Sequence, residues 1–288
     1  MKRALLGVTA LLAAASLGWA GGVTKPVPRF AHVLVVVLEN KAQADVLGNP
    51  AAPNFNSFAS RYAVLSRYGG VAHPSLPNYL ALVSGSTHGI QSDCTDCVVA
   101  GRNLADTLDR AHRTWKAYAE GLPQPGFTGA FAGRYAKKHM PFLYFRDILA
   151  SPARRRHVVP LGQFSRDLAS GRLPAFSLVV PDLCHDMHDC SVATGDAWLG
   201  RFVTPLLRSA RLVRSVVFVI TDEPPGSAPA GDPVPALALG PLVVPGSRYT
   251  ARTSHYGLLR TIEDAWGLAR LGRSATTPPI TGIWRQPA

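Results

Sequence analysis

Two apolar runs end on oxygen-bearing side chains: His32 to Leu38 stops at Glu39 and Asn40, and Ser215 to Thr221 stops at Asp222 and Glu223. Three carboxylates and an amide, without a thiolate, form the hard donor set that suits a divalent cation, its identity left open. A cation so held suits chemistry on an anionic oxygen ester, because it polarises the reacting group and lowers the pKa of a nearby hydroxyl. Ser75, in His73-Pro74-Ser75-Leu76-Pro77-Asn78, is the hydroxyl of interest, since a serine followed closely by proline marks a helix start. As an N-cap it would contribute about 1 kcal/mol and do nothing else. As a nucleophile it would attack a phosphate held by the free N–H groups and positive end of the helix.

The histidines add weight to the second reading. His139 lies in Tyr-Ala-Lys-Lys-His-Met-Pro-Phe, His188 in Pro-Asp-Leu-Cys-His-Asp-Met-His-Asp-Cys, and His255 beside a capping candidate, Ser254. Asp182, His185, Asp186, His188 and Asp189 crowd one loop bounded by Cys184 and Cys190, a density that packing alone does not explain. Pro224 and Pro225 disfavour a helix starting at Asp222-Glu223, so those adjacent carboxylates lack a capping role and call for a neutralising cation. A serine esterase is the rival scheme. It would place its nucleophile in a GxSxG elbow, which Ser75 lacks, and would leave four metal-type ligands idle.

Near-continuous Val, Ile and Leu runs read as strands buried on both faces of a parallel sheet, and open α/β sheets bind ligands at the carboxyl ends of their strands. The remaining pattern alternates. Helices are expected at 53–62, from Ser75 to the Gly85 stop, at 104–113 behind an Asn103 cap, at 163–170 and at 255–266. Another runs from a cap at Thr194 or Asp196 to about Ala210, bent at Pro205. Strands are expected at 115–119, 176–180, 234–239 and 242–244. No repeat or long linker divides the chain, which predicts one α/β domain over 21–288.

Met1 to Ala20 has a basic start, an apolar stretch and small residues before Gly21, the pattern of a secretory signal peptide. No later segment is long and apolar enough to span a bilayer, so a periplasmic or secreted protein is expected. Four cysteines fit that compartment: Cys94 with Cys97 and Cys184 with Cys190 make two short disulfide loops, with zinc binding as the competing reading. The net charge of +12 attracts anions. Phosphorylated small molecules, phospholipid head groups and nucleic acid all qualify, because long-range attraction does not distinguish among them. The basic run Arg154 to Arg156 has no interleaved aromatic residue and reads as a solvated loop, so nucleic acid is not specifically indicated.

Taken in order, LEN at Leu38 to Asn40, HPSLPNYLALVSGSTHG at His73 to Gly89, YAKKHMPF at Tyr135 to Phe142, PDLCHDMHDCS at Pro181 to Ser191, ITDE at Ile220 to Glu223 and SHYGLLRTIED at Ser254 to Asp264 resemble the bacterial phosphoesterase family. That family contains secreted acid phosphatases and phosphatidylcholine-type phospholipases C, within the alkaline phosphatase-like superfamily. The resemblance implies a three-layer α/β/α sandwich around a mostly parallel sheet. It implies a divalent metal held by Glu39, Asn40, Ser75, Asp222 and Glu223, with Ser75 also the nucleophile that forms a phosphoserine. Asn78 would help bind phosphoryl oxygens. His139, His188 and His255 would neutralise charge or protonate the leaving oxygen, with Asp189 orienting His188.

Two departures stand out. The family's glycines after the acidic pair, and its histidine before a Val/Ile-Pro step, are replaced here by Pro224-Pro225 and by Pro233 ahead of Val234-Pro235. Met140 stands where an asparagine is usual. An exported acid phosphatase-like hydrolase is the first expectation; the alternatives are a phospholipase C-type phosphodiesterase or a non-catalytic anion-binding descendant.

Overall fold

A computed structural model describes residues 27–285, so the expected signal peptide lies outside the described residues. Eight strands form one sheet: β1 (Val33–Leu38), β2 (Ala63–Leu65), β3 (Trp115–Ala119), β4 (Val158–Pro160), β5 (Phe176–Val180), β6 (Val216–Thr221), β7 (Ala236–Leu239) and β8 (Arg248–Tyr249), in the order β8-β2-β7-β6-β1-β5-β3-β4. All neighbours are parallel except β7, which runs antiparallel to β2 and β6.

Alternation within β1 explains its unbroken hydrophobicity. Val33, Val35 and Val37 enter the core on one face with helices α2 (Ser75–Ser84), α3 (Leu104–Arg110) and α6 (His255–Trp266). Leu34, Val36 and Leu38 enter the other with α1 (Pro53–Arg61), α4 (Gly162–Ala169) and α5 (Val192–Leu207). Because side chains alternate across a strand, a sheet covered on both faces needs apolar residues at every position. This is the three-layer α/β/α sandwich with a mostly parallel sheet.

Several local expectations change. Helix α5 begins two residues before Thr194, with Ser191 as its cap. Asp196 instead caps α1 from across the layer: its carboxylate accepts from the backbone N–H groups of Asn54 and Phe55, which Ala52 at the N-cap cannot serve. Residues 242–244 form no strand, only a bridge from Val243 to Trp284. Arg154 is not a free cation in a loop, since it pairs with Asp106, Asp109 and Asp147. Both disulfides are formed as expected, Cys94–Cys97 and Cys184–Cys190, which excludes zinc at those sulfurs and fits an oxidising compartment. Among the described residues no helix is long and apolar enough to cross a membrane.

Candidate active site

Strands β1 and β6 are neighbours in register, Leu38 opposite Thr221, so the two residue pairs that follow them emerge side by side. Asn40 takes a left-handed backbone conformation (φ 48°), which asparagine tolerates, and its N–H points to Asp222 Oδ1 at 3.3 Å. Glu39, Asp222 and Glu223 are all nearly fully buried, and each offers a carboxylate oxygen within 4.8 Å of the others. Gly70 closes the floor: a Cβ there would come within 2.9 Å of the Asp222 carbonyl oxygen.

Ser75 is the first residue of α2, and its side chain caps nothing. Its hydroxyl donates to Glu39 Oε1 and lies 3.3 Å from Glu223 Oε1, with Lys138 Nζ 3.4 Å away. The capping work goes to Asp93, which accepts from the Leu76 N–H and also pairs with Lys138 at 3.0 Å. Helix α2 therefore presents a buried hydroxyl, not a capping one, to three carboxylates and a lysine.

Like charges at this separation oppose one another. Burial and the Glu39 charge push Glu223 up to about 7, against the pull of His73, whose Nδ1 lies 2.5 Å from Glu223 Oε2. Asp222 is raised well above the usual carboxylate range by burial and then by Glu39. Burial acts to raise Glu39 as well, but His139 first, and then the neighbouring Asp222 and Lys138, outweigh it and hold that carboxyl low. Glu39 Oε2 and Asp222 Oδ2 are buried without any hydrogen-bond partner. Crowded carboxylates with unpartnered inward oxygens, and a hydroxyl among them, fit a hard divalent cation, whose charge would reverse the upward shifts.

The histidines separate into three roles. His139, buried and stacked on Tyr79, lies between Glu39 Oε2 (3.3 Å) and Asp186 Oδ2 (3.5 Å). His255 does not face the open side of the site. Its Nε2–H donates to the Asp222 carbonyl (2.6 Å) and its Nδ1 accepts from the Tyr68 hydroxyl (2.8 Å), while burial lowers its pKa to about 4. A neutral ring with both nitrogens committed cannot serve as the acid expected of it; it positions Asp222. His188 bonds Asp189 at 2.7 Å near the surface, and neither contacts Ser75 or the three carboxylates. Asp189 therefore orients His188 away from the cluster.

Asn78 also has a different duty. Its Oδ1 accepts from the N–H groups of Val71 and Ala72, and its Nδ2 donates to the carbonyls of Ala72 and Pro74, so the amide holds the turn before Ser75 instead of facing a phosphoryl group. The remaining contact, to Glu223 Oε2 at 3.4 Å, ties that turn to the cluster.

Four further residues join the site. His73 was legible only as the neighbour of Ser75, and Lys138 only as the neighbour of His139. Asp186 sits in the dense cysteine-bounded loop, which divides: Asp186 turns inward, while His185 pairs with Glu120 and Asp182, whose backbone N–H donates to Glu120, in a separate half-buried group. Burial followed by the Glu39 charge raises Asp186 to about 8. Asp93 had no sequence signal. At Pro233, where the family histidine is missing, the backbone bridges Gly69 and its carbonyl accepts from Gln43 N–H. The imidazole beside Glu223 is that of His73.

The three-layer sandwich, with a buried hydroxyl facing carboxylates at its strand ends, has the alkaline phosphatase-like fold. A solved structure titled a protein in the alkaline phosphatase superfamily, from Vibrio parahaemolyticus, aligns with a TM-score of 0.58 at 14% identity, covering 88% of this chain and 72% of that one. The family model "Phosphoesterase family" matches residues 49–269. A phosphatidylinositol-3-phosphatase of Mycobacterium tuberculosis is 38% identical over 291 residues, covering 98% of this chain and 94% of its own. An acid phosphatase of Aspergillus fumigatus is 29% identical over 85% of this chain, which spans 56% of that protein's length. The chain belongs to the phosphoesterase family and is a phosphoric ester hydrolase.

Proposed function

We propose that the chain is an exported, metal-dependent phosphomonoester hydrolase with Ser75 as nucleophile. One observation carries the reading: Ser75 is 1% exposed, yet its hydroxyl is spent on no cap and is surrounded by Glu39, Glu223 and Lys138. Glu39, Asn40, Asp222, Glu223 and Ser75 would hold the divalent ion. When bound, that ion supplies Lewis-acid polarisation of the phosphoryl group and a lowered serine pKa.

The protein's own groups do the rest. The Ser75 proton leaves along its hydrogen bond to Glu39 as Oγ bonds to phosphorus and the ester P–O bond breaks, and the net proton of the step ends on the departing alkoxide. Lys138, kept cationic by Glu39 and Asp93 against the opposing effect of burial, stabilises charge on the transferring phosphoryl group. His139 and Asp186 fix Glu39 from behind, and His255 fixes Asp222. Water then adds across the P–Oγ bond, releasing phosphate and restoring the hydroxyl.

The name of the mycobacterial relative makes phosphoinositide monoesters candidate substrates alongside small soluble monoesters. The test is phosphate release from p-nitrophenyl phosphate by wild type and Ser75→Ala, with and without chelator. Turnover lost on chelation, restored by divalent ion and absent in Ser75→Ala supports the proposal. Chelator-insensitive turnover overturns its metal dependence, and full activity in Ser75→Ala overturns the nucleophile.

A further inference from the structure

A cavity of about 280 Å³ opens beside His73, between the 71–73 turn, the 86–91 loop and the start of α6. Its polar walls are His73, Ser86, Thr87, Gln91, Tyr256 and Arg273, and among the described residues no carboxylate lines it. Arg273 is exposed, its guanidinium 5.7 Å from the centre of the Tyr256 ring, and it forms no ion pair with any described residue. His73 forms the common wall with the catalytic cluster: it contacts Glu223, which in turn contacts Ser75.

We infer that this cavity is a leaving-group subsite for a polyol phosphate bearing a second anionic group, which Arg273 grips while the phosphomonoester lies at Ser75. The inference rests on the phosphomonoesterase reading and names its substrate class. Hydroxyl and amide groups match a hydroxylated ring, while an unpaired guanidinium matches a phosphate by a bidentate, charge-assisted contact. The volume is at the small end of ligand pockets and suits a head group, not an acyl chain.

Calorimetric titration of full-length Ser75→Ala protein, which cannot turn over, with inositol 1,4-bisphosphate and inositol 1-phosphate tests this. The bisphosphate is expected to bind at least about tenfold tighter. Adding Arg273→Gln should shrink that ratio below about threefold, whereas Arg248→Gln, at an exposed site on β8, should leave it intact. Equal affinities, or a ratio that survives Arg273→Gln, overturn the inference. Free inositol 1,4-bisphosphate competed against its diacylglycerol ester in phosphatidylcholine vesicles separates the sources: tighter binding of the free compound identifies a soluble substrate, and tighter binding of the vesicles a lipid head group. If wild type fails to hydrolyse p-nitrophenyl phosphate, the phosphatase reading falls while the affinity ratio still decides the subsite.

Discussion

Replacing Glu263 with glutamine should stabilise the protein at alkaline pH and leave it unchanged in acid. Glu263 is fully buried on α6; Leu271 N–H donates to its Oε1 at 2.9 Å, and Ser274 Oγ lies 2.6 Å from Oε2 and 2.7 Å from the Leu271 carbonyl. One hydroxyl proton cannot serve both oxygens. A protonated Glu263 resolves this by donating to Ser274, which then donates to Leu271, and burial accordingly pushes the carboxyl up to about 7 from 4.5. Below the unfolded value both states carry the proton and there is no penalty. As pH rises from 4.5 through 7 the unfolded chain ionises first, and the folded state loses about 3 kcal/mol that it does not regain at higher pH. Glutamine keeps both hydrogen bonds without titrating. Urea denaturation with disulfides intact should therefore show Glu263→Gln more stable than wild type by about 3 kcal/mol at pH 8, and within about 0.5 kcal/mol at pH 4.5. A variant equally shifted at both pH values, or less stable at pH 8, would refute the reasoning.

Two other substitutions test different links. Asp196→Ala should cost about 2 to 4 kcal/mol in the same assay, because it strips the cap from two N–H groups of α1, while turnover per folded molecule stays as in wild type; a loss under about 1 kcal/mol would remove the cross-layer cap from the account. Lys138→Met should lower kcat for p-nitrophenyl phosphate by about ten- to a hundredfold with a smaller effect on KM, and Lys138→Arg should recover part of it. Unchanged kcat in Lys138→Met would confine the lysine to its pairing with Asp93.

The sandwich was legible because β1 and β6 announce burial on both faces: from Val33 to Leu38 and from Val216 to Ile220 no polar residue marks a solvent side. Their ends met because register carries Leu38 to Thr221, so strand adjacency alone converts two distant sequence pairs into one cluster. Strands β2, β4 and β8, of two or three residues, are too short to show a period. Residue type was a better guide than residue role. Asn78 and His255 do lie at the site, yet hydrogen bonds that depend on the turn at 71–74 and on Tyr68 commit them to positioning. Lys138 and Asp93 escaped notice because their meeting at Ser75 depends on loops whose paths have no local pattern. The loop at 182–189 drew attention by its density of ionisable groups, but only Asp186 among them turns toward Glu39.

The most direct test of the catalytic account is to quench metal-loaded enzyme within milliseconds of mixing with phosphate-labelled substrate and to map the label by peptide mass spectrometry. Label covalently bound at Ser75, appearing and decaying at rates that match turnover, is the expected result. Steady turnover with no label on the protein, or label on a different residue, would contradict it.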